Sequence, residues 1–190
     1  FIQGEGEEVN IELSKLYIDC RKNGDTKQEF LKKAAQIEGI YVPSFYEVEY
    51  NENGTIKSYT SNSGAPARVR KRIIKDLDSA YYPKNFVVPF VETVHDRAVQ
   101  EIFRGCIRGC RFCQAGFIYR PVREKSSEVS NRQAHELCDN TGYDEISLTS
   151  LSTSDHSELE TLLDDMLDWT QEEHVSMSLP SLRVDNFSES

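Results

Sequence analysis

Residues 98–113, AVQEIFRGCIRGCRFC, place a short apolar stretch directly in front of three closely spaced cysteines. The stretch 98–103 contains Val, Ile and Phe, which are enriched in strands, so we predict a strand there. Cys106, Cys110 and Cys113 follow within eight residues. Three thiols on one tight loop after a strand predict a site for a metal ion or a metal cluster.

The spacing of the three cysteines limits what they bind. A closed zinc site needs four ligands, usually as two short pairs, and the sequence contains no second pair. A bacterial ferredoxin run would reach a fourth cysteine followed by proline, whereas Gln114 follows Cys113 here. Three thiolate ligands leave one iron of a 4Fe-4S cluster open, and an open coordination position indicates chemistry. Gly105 and Gly109 would let the backbone fold closely around such a cluster.

The stretch after the cysteines alternates helix and strand patterns. We predict a helix over 127–139 ended by Gly142, a strand over 145–151, a helix over 155–170 and a strand over 174–179. Such alternation builds a parallel sheet, whose chemistry gathers at the carboxyl ends of its strands. At about 30 residues per unit, residues 97–190 would cover the first three units of a (β/α) barrel. The expected fold class is α/β, an N-terminal α+β segment followed by a truncated barrel.

Helical patterns dominate the start of the chain. Apolar residues at helical spacing predict a first helix over 9–20, and Gly24 follows where a left-handed cap is favourable. Asp25 and Gln28 resemble the capping box of a second helix, which stops near Gly39.

A hairpin and a composition break follow these helices. Strands over 45–50 and 55–59 flank Asn53-Gly54, a dipeptide that tolerates positive φ at both central turn positions. The stretch 61–66 is rich in Ser, Asn, Gly and Pro, which is typical of a linker. We therefore predict a tail of a preceding domain over 1–60, a connection over 61–94 and a cysteine-bearing domain over 95–190.

Composition argues against several classes of protein. The net charge of -10 repels polyanions, so nucleic acid is not indicated as a partner. No apolar run approaches the 18 or so residues of a membrane helix and no signal peptide is recognisable, so we expect no membrane association and a cytoplasmic location. Five cysteines, an odd number, do not describe a secreted disulfide framework. Cys20 and Cys138 occupy apolar positions of helical patterns, where we expect inert core thiols.

Charged residues are unevenly distributed. A basic run, predicted to be a helix with a solvated face, contains Arg68, Arg70, Lys71, Arg72 and Lys75. Residues 151–178 carry eight acids and no Lys or Arg, which also indicates a solvated helix face. Around the cysteines stand Arg104, Arg108, Arg111, Arg120, Arg123 and Lys125. We expect these last cations to favour thiolates and an anionic cosubstrate.

The cysteine loop and the strand-helix texture resemble the radical S-adenosylmethionine (radical SAM) superfamily. More narrowly, residues 105–116 and 119–123 are similar to a subfamily that has an N-terminal cobalamin-binding-type domain. Residues 148–155 and 178–185 share this similarity, which covers roughly residues 65–190.

The resemblance implies an enzyme with a 4Fe-4S cluster on the three cysteines and S-adenosylmethionine on the open iron, with reductive cleavage to a 5'-deoxyadenosyl radical. It implies that Phe112 contacts the adenine and that Thr149 and Ser150 contact the methionine amino group. Ser181 and Arg183 would contact the ribose or the carboxylate. A reduced flavodoxin or ferredoxin would supply the electron, and the substrate stays open. The alternative is an iron-sulfur electron-transfer or structural metal-binding module without this chemistry.

The N-terminal residues 4–8, Gly-Glu-Gly-Glu-Glu, resemble the end of the last strand and the first turn of the cobalamin-binding-type domain. A turn before a helix is the alternative, since acids also favour helix N-termini. Histidines at 95, 135, 156 and 174 stand at no metal-ligand spacing, so each is expected to be a surface or core residue and cobalamin is not predicted. Both chain ends read as cut from a longer protein, with later strands past Ser190.

Overall fold

The computed structural model describes residues 1–91 and 93–183. The chain divides into two compact units, Phe1–Ile74 and Lys75–Ser190. The end of the similarity over 178–185 lies outside the described residues. The three-part division predicted from the sequence, 1–60, 61–94 and 95–190, stays a prediction. Among the described residues, no helix is long and apolar enough to cross a membrane.

The first unit contains two helices, a 3-10 turn and a hairpin. Its elements are α1 (Val9–Asn23), α2 (Lys27–Ala34), the 3-10 turn Pro43–Phe45, β1 (Tyr46–Tyr50) and β2 (Ile56–Ser61). The predicted first helix, its Gly24 cap in the left-handed region and the antiparallel hairpin are confirmed. Its core is formed by Val9, Ala34, Ala35, Ile40, Val42, Phe45, Tyr46 and Ala65.

The capping box of α2 lies one residue later than predicted. Thr26 accepts a hydrogen bond from the Glu29 backbone N–H at 3.3 Å, and Glu29 accepts one from the Thr26 backbone N–H at 2.7 Å. Asp25, the residue predicted for this role, instead forms an ion pair with Lys33. The pKa of Asp25 is lowered, chiefly by that hydrogen bond from Lys33.

The basic run is not helical, contrary to the prediction. The Arg72 guanidinium forms ion pairs with Glu8 at 2.8 Å and with Glu12 at 2.7 Å. Both ion pairs lie within the first unit. The backbone of Arg72 also pairs with Gly4, where a Cβ would stand 2.0 Å from the Arg72 carbonyl oxygen. This close approach explains why glycine is required at position 4.

The second unit is a parallel sheet with helices packed on one face, so the mixed α/β class is confirmed. Its elements are β3 (Ala98–Glu101), β4 (Phe103–Arg104), α3 (Ala115–Ile118), β5 (Arg123–Glu124), α4 (Ser127–Thr141), β6 (Glu145–Thr149), α5 (Leu159–Glu172) and β7 (Ser176–Ser178). The strand order is β3-β6-β7, and both pairings are parallel. The barrel itself, and its truncation, stay a prediction.

The pleat of this sheet separates its two faces. Ala98 and Ile146 pair in register and face the helices, where Leu148, Leu162 and Met166 complete a fully buried layer. Their neighbours along the strands point the opposite way, because successive side chains of a strand alternate between faces. The burial of the second unit is therefore concentrated between the sheet and α4 and α5.

Several predicted boundaries were wrong by a few residues. The strand predicted over 98–103 ends at Glu101, since the chain turns and β4 pairs antiparallel with β5. The strand predicted over 145–151 ends at Thr149. His174 has a φ of 59°, which an extended strand cannot contain, so β7 begins at Ser176 rather than at 174.

The helix predicted over 155–170 instead covers Leu159–Glu172. A 3-10 turn over Thr153–Asp155 precedes it and sets Asp155 apart from the helix. The two isolated cysteines are confirmed as buried thiols, with 3% of Cys20 and 5% of Cys138 exposed. Burial raises the pKa of both thiols, that of Cys138 to about 11, which keeps them uncharged and unreactive.

Candidate functional site

The cysteine loop joins β4 to β5 at the carboxyl end of the sheet. Cys106 is buried, whereas Cys110 and Cys113 are half-buried. The Ile102 backbone N–H donates to the Thr149 carbonyl at 3.1 Å, which ties the start of the loop to the end of β6. The three thiols therefore lie where parallel sheets place their chemistry.

A single arginine holds the first turn of the loop. Arg120 Nε donates to the Cys106 carbonyl at 3.2 Å, and its Nη2 donates to the carbonyls of Ile107 at 3.5 Å and Arg108 at 3.0 Å. The guanidinium also lies 5.4 Å from the ring centre of Phe117. Because these contacts reach backbone atoms, they do not depend on which side chains the loop carries.

Gly105 is the glycine that this course requires. Its φ is +89°, and a Cβ there would stand 2.7 Å from the Pro121 carbonyl oxygen and 3.0 Å from that of Tyr119. The space around Gly109 is open, so the tight folding predicted for both glycines is needed only at Gly105. A side chain at 105 would push the loop away from residues 119–121.

Two of the sulfur atoms already receive hydrogen bonds from nitrogen donors. The Arg108 backbone N–H lies 3.4 Å from Cys106 Sγ, and Arg183 Nη1 lies 3.9 Å from Cys110 Sγ. Hydrogen bonds to cysteine sulfur tune the potential of a bound iron-sulfur cluster. The donor set, three cysteines with supporting N–H groups, fits an iron-sulfur cluster.

The spread of the sulfurs also bears on the choice between cluster and single ion. Three thiolates on one tetrahedral zinc, at about 2.3 Å each, would lie roughly 3.8 Å apart. Within the described part of the chain, the three cysteine sulfurs do not form a group with all ligand atoms inside 4.8 Å. A cluster would bind each thiolate to a different iron, so its ligands need not lie this close together.

An ion pair joins the cysteine loop to the residues after β6. Arg108 donates to both carboxylate oxygens of Asp155, with its Nε 2.8 Å from Oδ2. The Ser152 hydroxyl donates to the same Oδ2 at 2.7 Å. Only 6% of the Asp155 side chain is exposed, whereas 33% of the Arg108 side chain is, so the carboxylate is the shielded partner of this pair.

The connection continues to the end of β7. Thr153 Oγ1 donates to the Pro180 carbonyl at 2.7 Å, and the Thr153 backbone N–H donates to the Ser181 carbonyl at 3.3 Å. Ser150 Oγ lies 3.0 Å from Thr153 Oγ1. Ser181 has a φ of 61°, a conformation that non-glycine residues rarely adopt and that clusters at functional sites. The ends of all three parallel strands are thus linked by polar contacts.

The residues predicted to contact the cosubstrate lie around this linked region. Ser150 and Ser181 belong to the hydrogen-bond network, and Thr149 is exposed at the end of β6. Arg183 lies beside the Cys110 sulfur. Phe112, at the tip of the loop, is 93% exposed and presents its ring to solvent. Their roles toward a cosubstrate stay predictions.

Most of the cations predicted to serve the cysteines make internal contacts instead. Arg104 pairs with Glu101 through two hydrogen bonds, of 2.9 and 2.8 Å. Lys125 is buried, its Nζ donates to Gln133 Oε1 at 2.8 Å, and burial, followed by the nearby Arg104 charge, lowers its pKa. Arg111 is exposed on the loop. Arg108 and Arg120 do contact the cysteine loop or tie it to Asp155, and the effect of the six cations on the thiolates stays a prediction.

Residues 148–155 share the family similarity, but no local pattern assigned a role to Ser152, Thr153 or Asp155, which anchor the loop. Asp155 belongs to the acidic stretch 151–178 that was interpreted as a solvated helix face. Its partner Arg108 is 47 positions away along the chain. Only the folded sheet brings the two together.

Comparison with known families adds an independent observation. Residues 1–43 match the family model described as "Radical SAM proteins, N-terminal". The match lies in the first unit, whereas the cysteine loop lies in the second. It supports a place for the chain in the radical SAM superfamily, a class of enzymes that generally use a 4Fe-4S cluster and S-adenosylmethionine. No curated protein matches the chain.

Proposed function

We propose that this chain binds a 4Fe-4S cluster through Cys106, Cys110 and Cys113 and uses it to cleave S-adenosylmethionine reductively. The observation that carries the proposal is the braced loop of three cysteines at the carboxyl end of the first parallel strand. The family match over residues 1–43 supports it independently.

The bound cluster would supply one electron, received from a reduced flavodoxin or ferredoxin, that splits the sulfonium into methionine and a 5'-deoxyadenosyl radical. The residues of this chain would hold the cluster and orient the cosubstrate. Arg120 keeps the loop carbonyls in place, and Arg108 ties the loop to Asp155. Arg183 adds positive charge beside Cys110, which favours an anionic ligand set.

We assign the cosubstrate contacts to residues at the strand ends. Phe112 offers an exposed aromatic face for the adenine, and Arg183 a guanidinium for the carboxylate or ribose. Thr149, Ser150 and Ser181 offer polar groups beside the same loop. We also infer that the chain belongs to the subfamily with a cobalamin-binding-type domain. Residues 1–60 would form the tail of that domain.

Spectroscopy of the anaerobically reconstituted chain tests the proposal. We expect about four irons and four sulfides per chain, and a paramagnetic resonance spectrum of the dithionite-reduced cluster that changes when S-adenosylmethionine is added. The reduced protein should also release 5'-deoxyadenosine from S-adenosylmethionine. S-adenosylhomocysteine, which lacks the sulfonium, serves as the control for this release. A full cluster with an unchanged spectrum would instead support an electron-transfer module. One tightly held zinc without sulfide would support a structural metal site.

A further inference from the structure

A second group of metal-ligand side chains lies on the helices of the second unit. His135 and Asp139 are one turn apart on α4, and Glu173 directly follows α5. His135 Nε2 lies 2.7 Å from Glu173 Oε1 and 3.8 Å from Asp139 Oδ1. Across residues 1–91 and 93–183, this is the one group of three such residues whose ligand atoms all lie within 4.8 Å of one another.

The distances suit a small tetrahedral ion. With bonds of about 2.1 Å to an imidazole nitrogen and carboxylate oxygens, ligand atoms of a tetrahedral site stand roughly 3.4 Å apart. The two separations from His135 bracket this value. Small rotations of Asp139 and Glu173, which have exposed fractions of 60% and 41%, would therefore complete the set.

The imidazole is held in place before any ion arrives. Its ring lies against Trp169 on α5, with ring centres 4.7 Å apart and a 31° angle between planes. Trp169 is itself fixed, because its Nε1 donates to Asn131 Oδ1 at 2.8 Å. A pre-oriented ligand loses little conformational freedom on binding.

The local charge favours a cation. Helix α5 carries five acids and no Lys or Arg, and Glu173 directly follows it. Such a concentration of negative charge raises the local concentration of divalent cations. The set of one imidazole and two carboxylates suits transition metals, whereas Mg²⁺ and Ca²⁺ prefer oxygen ligands alone.

We propose that His135, Asp139 and Glu173 bind a divalent transition-metal ion of the Zn²⁺ class, with water completing its coordination. The ion would link α4 to the end of α5 on the helical side of the second unit. It would stabilise the packing of these helices, since a ligand bound only by the folded state favours folding. The site could not be recognised from the sequence, because Glu173 is far along the chain from His135 and Asp139 and only one of the three ligands is a histidine.

The single tryptophan of the chain, Trp169, reports on the site through its contact with His135. The titration uses the full chain without a histidine tag, at pH 7.5, in which Cys106, Cys110 and Cys113 are replaced by Ala so that thiolates cannot capture the metal. Ni²⁺ is expected to quench Trp169 fluorescence saturably with one equivalent. Zn²⁺ is expected to displace it and restore the signal, whereas Mg²⁺ is not.

Matched variants identify the ligands. His135→Asn and Glu173→Gln should each weaken Ni²⁺ binding at least about tenfold. The controls Glu172→Gln and His174→Asn change a neighbouring carboxylate and imidazole and should leave the titration unchanged. Zn²⁺ should also raise the Tm of the chain that lacks the three loop cysteines, and it should not raise the Tm of the His135→Asn derivative of that chain. If His135→Asn or Glu173→Gln fails to fold, as judged by circular dichroism, Asp139→Asn replaces that variant.

Two results would overturn the proposal. One is quenching that rises without saturation, or that is equal in the chain with and without His135. The other is displacement of Ni²⁺ by Mg²⁺ as readily as by Zn²⁺, which would indicate an acidic surface that attracts any cation. Both are independent of the proposed cluster, whose ligands are absent from the titrated protein.

Discussion

The two sides of the second unit are built from different interactions. Between the sheet and its helices, Ile146, Leu148, Leu162 and Met166 are fully buried and contribute apolar packing. At the strand ends, the loop is held by hydrogen bonds and the Arg108 ion pair, and its tip is open to solvent. The packing of the core and the course of the cysteine loop therefore depend on different contacts, so most substitutions on one side should spare the other.

Replacing the cysteines should give the largest effect. Cys110→Ala or Cys113→Ala should reduce the iron bound after anaerobic reconstitution from about four per chain to near zero, because each thiolate holds one iron. The urea midpoint of the apo chain should barely change. Cys138→Ala should do the opposite, with normal iron and lower stability. Full iron in Cys110→Ala would refute the assignment of the loop.

Truncating a side chain of the buried core should lower stability and leave the iron content unchanged. Leu148→Ala should lower the free energy of unfolding by about 2 to 5 kcal/mol, because it leaves a cavity between the sheet and α5. Leu148→Met, which conserves volume, should cost less than about 1.5 kcal/mol. Urea unfolding measures both changes. A small loss for the alanine variant would mean that this core collapses easily around cavities.

The Arg108 ion pair should affect both sides. Asp155→Asn removes the charge that faces Arg108, and we expect a loss of about 1 to 3 kcal/mol in the free energy of unfolding. The cluster should also be lost faster to an iron chelator, because the loop is no longer tied to β6. Asp164→Asn, an exposed acid on α5, serves as the control. Chelation at the wild-type rate would limit Asp155 to a purely structural role.

Phe112 should influence binding without influencing stability. Its ring is 93% exposed, so Phe112→Ala should leave the urea midpoint unchanged. Loss of a base-stacking surface worth about 1 to 3 kcal/mol should weaken S-adenosylmethionine binding roughly five- to 150-fold. Equilibrium binding to the reconstituted protein measures this, with Tyr81→Ala as an exposed aromatic control. Unchanged affinity would remove Phe112 from the proposed site.

Lys125 should produce the smallest effect, visible only as a dependence on pH. Burial lowers its pKa below the ordinary value of 10.5, so in the window between the two values the unfolded chain binds more protons. Stability should therefore rise as the pH increases through that window. Lys125→Met should flatten this rise in the free energy of unfolding, measured by urea unfolding at pH values below 10.5. Parallel slopes would show that the folded lysine titrates normally.

The sequence predicted the local elements well and the long-range contacts poorly. The strand-helix alternation after the cysteines led to the parallel sheet, because hydrophobic periodicity is a local property. The capping box was misplaced by one residue, since Asp25 and Thr26 both fit the pattern and Lys33 decides between them. The partner of Arg108 could not be predicted for the same reason, because Asp155 lies 47 positions away along the chain.

The candidate site shows this limit most clearly. The three cysteines were evident from their spacing, yet Arg120 and Asp155, which hold their loop, were not. An arginine near a cysteine motif suggests a charge for a ligand, and only the folded chain shows that Arg120 reaches three carbonyls. Contacts between distant residues depend on the whole fold, which no short motif encodes.

The way Arg120 holds the loop has an evolutionary consequence. It contacts the carbonyls of residues 106–108, and every amino acid supplies a carbonyl. The side chains at 107 and 111 are exposed, so changes there should leave the course of the loop intact, whereas changes at the cysteines, Gly105, Arg108 or Arg120 should not. The exposed surface of such a loop can diversify between relatives while its three cysteines keep their positions.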